Sequence, residues 1–146
     1  MTFIPTEISK YFSEDNFRNY PLIEIPQSFQ DSRGGIINVA DGILGDVSVI
    51  NSEKMALRAN HIHQLDWHLC YLIEGEIRYY WKESLDSASQ EQIKVTPGKL
   101  IYTPPKTPHM MLFMEKSIFV TVSGLSRMTD SYELDTKRLD SNYFDS

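Results

Sequence analysis

The chain has 146 residues, 41% of them hydrophobic and 12% aromatic, the length of one ordinary domain with enough apolar matter for one core. Fourteen Lys and Arg against twenty Asp and Glu leave a net charge of −6, which opposes binding to a phosphate backbone and argues against a nucleic-acid partner. The single cysteine, Cys70, excludes an intramolecular disulfide and a multi-cysteine zinc cluster, and a cytoplasmic setting is expected.

Residues 1–17 (MTFIPTEISKYFSEDNF) carry early acids and neither a basic start nor an unbroken apolar run, so neither a signal peptide nor a membrane anchor is expected. No apolar run approaches the roughly 20 residues that cross a bilayer, so no membrane partner is expected either. Residues 1–30 read as an N-terminal arm, in which Tyr20 to Phe29 is placed to add a strand to a second copy in a homodimer. Residues 31–124 read as a barrel of short strands: Ile36–Ala40, Gly45–Ile50, Met55–His61, His68–Ile73, Glu76–Trp81, Gln92–Val95, Lys99–Thr103, His109–Met114 and Ile118–Ser123. Gly34-Gly35, Glu74-Gly75-Glu76, Pro97-Gly98 and Pro104 to Pro108 supply the turns between them. Ser84 to Gln92 reads as an exposed loop. In the tail, residues 125–146, Thr129 or Asp130 is placed to cap a short helix running to about Leu139, with Tyr132, Leu134 or Leu139 facing the barrel and Asp130, Glu133, Asp135 and Asp140 on its solvated face. Evenly spaced short strands with one terminal helix predict an all-β sandwich or barrel in a single domain.

Four histidines, His61, His63, His68 and His109, carry the chemistry. His61 and His63 lie two apart in a strand and so share a face. His68 opens the next strand after a short loop, with Cys70 and Leu72 continuing its face, and His109 shares parity with Met111 and Phe113. Neutral imidazoles converging in an apolar cup suit one divalent transition metal such as Zn, Fe, Mn, Ni or Cu. Cys70 reads as a buried inert thiol.

The stretch from Met55 to Phe113 resembles the cupin family, whose first motif runs Gly, His-x-His, Glu, Gly and whose second runs Gly, Pro-x-Gly, His, Asn. His61-Ile62-His63, His68 in the Glu place and Gly75 follow the first motif; Gly98, Pro104, His109 and Phe113 in the Asn place follow the second. Met55, at the first Gly of the first motif, and Lys106, at the Gly of Pro-x-Gly, depart from the family residue. This resemblance implies an RmlC-like double-stranded β-helix jelly roll with a metal on His61, His63, His68 and His109, four nitrogens in place of three nitrogens and a carboxylate.

A narrower resemblance links Asp31-Ser32-Arg33-Gly34 and Arg58-Ala59-Asn60-His61-Ile62-His63 to the nucleotide-sugar 3,5-epimerases and 3,4-ketoisomerases of the same superfamily, with Ala59 where Gly is usual. It implies a metal-free reaction in which His61 or His63 is the general base and Arg58 binds diphosphate or stabilises enolate charge. The sequence thus favours a metal-binding cupin enzyme acting on a small carbohydrate or sugar-derived carbonyl compound. The alternatives are the metal-free epimerase or ketoisomerase and a non-catalytic barrel that binds a small molecule.

Overall fold

In a computed structural model, residues 3–146 are described, the side chain of Gln27 excepted; the first two residues of the expected arm lie outside the described residues. After a short 3-10 turn (Glu14–Phe17), the strands are β1 (Leu22–Ile23), β2 (Gln27–Asp31), β3 (Gly34–Asn38), β4 (Asp46–Ser52), β5 (Leu57–His63), β6 (His68–Glu74), β7 (Ile77–Trp81) and β8 (Glu91–Val95). They continue with β9 (Leu100–Thr103), β10 (His109–Phe113) and β11 (Ser117–Ser123), then helix α1 (Asp130–Asp135) and β12 (Thr136–Arg138). All pairing is antiparallel. One five-stranded sheet has the order β1-β9-β6-β11-β4 and a second β12-β5-β10-β7-β8, while β2 and β3 form a separate hairpin.

Strand parity decides what each sheet buries, since alternate side chains face opposite sides. The inward residues of the first sheet, Cys70, Leu72, Ile101 and Phe119, meet Ile77, Tyr79, Met111 and Phe113 of the second. Phe113 and Phe119 stack across the gap with ring centroids 5.3 Å apart. The Tyr79 hydroxyl, buried among them, is satisfied by Thr103 Oγ1 at 2.7 Å. Truncating fully buried Leu72 to Ala would cost about 2–5 kcal/mol.

The outer faces are covered by the chain ends. Ile8, Phe12 and Phe17 pack on Leu69, Tyr102 and Val122 outside the first sheet. Phe144, with Leu139 and Tyr143, packs on Tyr80, Met110 and Leu112 outside the second. Gly75, with φ +102°, turns β6 into β7 where a Cβ would collide with Ser117, so the turn requires glycine.

Each of the nine strands expected from sequence overlaps an observed one. The helix differs: it ends at Asp135, and Thr136 to Arg138 become a strand because β5 offers an unpaired edge to them, Thr136 opposite His63 and Arg138 opposite His61. Leu134 stays 87% exposed, whereas Tyr132 faces the histidines and Leu139 packs outside the second sheet. Asp135, expected on a solvated face, is buried because its carboxylate accepts the Leu65 and Asp66 amides at 2.8 and 2.9 Å. Leu22 and Ile23 pair with β9 of their own chain. Among the described residues no helix is long and apolar enough to cross a membrane.

Candidate functional site

Three strands bring the imidazoles together. His61 on β5 lies opposite His109 on β10, and a bulge follows immediately: Met110 pairs with Ala59, leaving Asn60 as the extra residue. Ala59 and Asn60 make this bulge with φ of +64° and +55°. The extra residue shifts the parity, so that Arg58 and His61 line the same cavity although they stand three apart. His68 enters from β6 in the other sheet.

Ring centroids are 4.4 Å apart for His61 and His63, 4.7 Å for His61 and His109, and 4.7 Å for His63 and His68. His109 Nδ1 donates to the Thr107 carbonyl at 2.9 Å, which leaves Nε2 with a free lone pair. His61 and His63 share a hydrogen between their Nε2 atoms, 3.1 Å apart. His68 Nε2 lies 2.9 Å from Asp66 Oδ2 and donates to it. The other Asp66 oxygen accepts the amides of Trp67, Gly124 and Leu125 at 2.9–3.0 Å.

Burial keeps His61, His63 and His109 uncharged near neutral pH. It pushes His63 down to about 4, with repulsion from His68 adding to it and the Asp66 and Asp135 carboxylates opposing it. It pushes His109 to about 3 against the Thr107 hydrogen bond, and His61, with three imidazole neighbours, far below its ordinary value. Burial raises Asp66, but the His68 hydrogen bond and the Leu125 amide outweigh it and hold the carboxyl below its usual value. The site therefore offers neutral imidazoles with lone pairs for a proton or a metal.

The four expected ligands separate into two overlapping groups. His61, His63 and His109 present nitrogen atoms all within 4.8 Å of one another, and His63, Asp66 and His68 form the second such group. The first trio fits a borderline transition metal, whereas His68 has one nitrogen committed to Asp66.

A cavity of about 300 Å³ opens beside the cluster, lined by His61, His68, His109 and Arg58 on one side and by Ile50, Met111 and Phe119 at its apolar end. His63 sits behind this wall. Arg58 is anchored by Ser52 Oγ and the Asn51 carbonyl at 2.5 and 2.9 Å, and among the described residues no carboxylate pairs with it. Sequence reasoning missed Asp66, Arg127 and Arg138, and took Tyr132 only as one of three helix residues that could face the barrel. Arg127 lies 3.2 Å from Asp46 and 4.9 Å over the Tyr132 ring, and Arg138 pairs with Glu133 at 3.1 Å. The Asp66-x-His68 spacing was the available signal for the first; the other three come from the tail, where only the fold brings them back.

A scan against family models finds no match, and neither does a search of curated proteins. Solved structures do match. The dTDP-4-dehydrorhamnose 3,5-epimerase from Sulfolobus tokodaii is 16% identical with a TM-score of 0.67, covering 86% of this chain and 79% of its own. QdtA, a sugar 3,4-ketoisomerase from Thermoanaerobacterium thermosaccharolyticum solved with TDP, is 18% identical with a TM-score of 0.66, covering 86% and 93%. ChmJ, a 3'-monoepimerase from Streptomyces bikiniensis solved with dTDP-quinovose, is 12% identical with a TM-score of 0.64, covering 79% and 67%. These likenesses establish the fold.

Proposed function

We propose, from the premise that the chain has the RmlC-like cupin fold, that it is an isomerase or epimerase of nucleotide-linked keto sugars which works by proton transfer from a carbon beside the carbonyl. The observation that carries this reading is the single cavity in which neutral imidazoles face Arg58, a guanidinium with no carboxylate partner among the described residues. Solved structures of the same fold include enzymes of this type with TDP or a dTDP-sugar bound. The reaction class expected second from sequence thus moves ahead of the metal-centred one.

In this reading Arg58 binds the diphosphate by charge-assisted hydrogen bonds. His68, its tautomer fixed by Asp66, presents Nδ1 as the base. It takes a proton from the carbon next to the keto group, and the C–H electron pair becomes an enolate. A proton returned to the opposite face of that carbon completes epimerisation; in ketoisomerisation the hydroxyl proton on that carbon passes to the former keto oxygen and a proton returns to the former carbonyl carbon. Tyr132, whose phenol burial holds protonated, stands nearby as a hydrogen-bond donor or proton carrier, and His109 offers the lone pair on Nε2 as an acceptor. His61 is the second wall imidazole, and His63 supports it from behind.

The test is incubation with dTDP-4-keto-6-deoxyglucose in D2O. Deuterium should enter the sugar beside the carbonyl, the exchange should survive chelation, and Arg58→Ala should weaken TDP binding by about 1.5–3 kcal/mol. Absence of exchange together with absence of saturable TDP binding would sink the proposal.

The His61, His63 and His109 trio supports a second reading, in which a transition metal acts as a Lewis acid toward a substrate oxygen. Elemental analysis of untagged protein after reconstitution tests it: metal below about a tenth of an equivalent excludes the site, and near-stoichiometric metal abolished by joint His61→Ala and His63→Ala replacement supports it. A homodimer is part of the proposal, with the β2–β3 hairpin reaching a second copy.

A further inference from the structure

Most polar side chains that line the cavity have protein partners, and one buried hydroxyl does not. Arg58 is held by Ser52, His61 by His63, His68 by Asp66 and His109 by Thr107. Thr121, on the inner face of β11, is only 4% exposed and contributes to the cavity wall, yet its hydroxyl has no hydrogen-bond partner. Its neighbours across the ladder explain why: Cys70 on β6 has only a weakly bonding thiol, and Ser48 on β4 spends its hydroxyl on Asp46 at 2.6 Å. A buried hydroxyl without a partner is destabilising and rare in folded proteins. Valine of the same shape would occupy this strand position without that cost.

Position then says what the hydroxyl would meet. Ser123 lies beside His68 in the ladder and Thr121 beside Cys70, so Thr121 stands two residues deeper, about 6.7 Å along the strand backbone from the level of His68. That is the reach of one monosaccharide ring with its substituents. Ile50 and Phe119 beside it offer no polar contact. We infer that Thr121 is a ligand-contacting, specificity-determining residue, whose hydroxyl bonds a hydroxyl or carbonyl oxygen on the far side of a sugar held between it and the imidazoles. This deepens the nucleotide-sugar reading and rests on it for the identity of the ligand.

Binding of TDP and of TDP-glucose to the full chain, with melting of the ligand-free protein, tests the assignment. Thr121→Val should bind TDP as the parent does and lose about tenfold in affinity for TDP-glucose, while Thr121→Ser keeps most of it. Ligand-free Thr121→Val should melt no lower than the parent, because an unmet hydroxyl has been removed. Equal TDP-glucose affinity in Thr121→Val, equal weakening toward both nucleotides, or a lower melting temperature would each overturn the inference. If the parent chain binds neither nucleotide, the nucleotide reading fails on its own. Thr121 is then judged by melting: a rise supports a hydroxyl kept free for a ligand, and a fall shows that the fold itself uses it.

Discussion

His68 Nε2 and Asp66 Oδ2 are 2.9 Å apart, and the second oxygen of the same carboxylate is held by three backbone amides. The carboxylate is therefore fixed before the imidazole uses it, and it sets which ring nitrogen faces the cavity. Asp66→Asn would keep its oxygen on the amides and turn its NH2 toward Nε2. His68 would then carry its hydrogen on Nδ1 and become a donor where a base is needed. Proton exchange should fall on the order of 10²–10⁴-fold with TDP affinity nearly unchanged. Exchange at the parent rate would remove His68 from the mechanism.

Stability should depend on pH through His63 and His109. An unfolded chain protonates these imidazoles near 6.5, whereas the folded chain resists until about 4 and about 3. The unfolded state binds more protons in this window, so stability is fully present above about pH 7 and is lost as pH falls toward 4. At about 1.4 kcal/mol per unit, His63 accounts for roughly 3 kcal/mol of that loss. Urea unfolding of chelator-treated protein from pH 7.5 to 4.5 measures it, and His63→Gln should flatten the slope. A parent curve flat over the same range would contradict buried neutral imidazoles.

Phe29 and Ile36 lie opposite each other in the β2–β3 hairpin and remain 53% and 65% exposed. A lone two-stranded hairpin is marginal in water, and the edge strand β4 exposes Val47 and Val49. Sedimentation at tens of micromolar should show a dimer for the parent chain and a monomer for the double replacement Phe29→Ser, Ile36→Ser. A monomeric parent would refute the dimer.

Three places where the cupin and epimerase motifs carry glycine hold other residues here, and all three keep a left-handed backbone: Met55 at φ +67°, Ala59 at +64° and Lys106 at +63°. Relief of strain, about 1–2 kcal/mol each, exceeds the extra unfolded-state entropy of glycine, about 0.5–1 kcal/mol. Replacing all three by Gly should add about 1.5 kcal/mol and raise the melting temperature by about 4 °C. A lower melting temperature would show that the side chains contribute more than their backbone costs.

Much of the site could be read from residue spacing, because the period of two in a strand puts His61 beside His63 and sets His68, Cys70 and Leu72 on one face. Arg58 facing the same cavity as His61 could not be read that way. Three residues apart predicts opposite faces, and only the bulge at Ala59 and Asn60 reverses this. Asp66 was hidden because a loop carries no periodicity. Asp135 was misread because a carboxylate that caps backbone amides looks in sequence like any solvated acid. β12 is a polar Thr-Lys-Arg run whose strand state comes from the open edge of β5.

The coverings of the two sheets are not equivalent. All residues around the cavity fall between Ile50 and Arg138, so the N-terminal segment that roofs the first sheet through Ile8, Phe12 and Phe17 shelters the cavity without furnishing it. The other end does both, since the same tail that packs Phe144 outside the second sheet also lends Arg127, Tyr132 and Arg138 to the chamber. Trimming the chain from its start would bare an oily wall and favour aggregation. Trimming it from its end would dismantle the cavity itself, so closing the cavity and covering the second sheet fall to the same stretch of polypeptide.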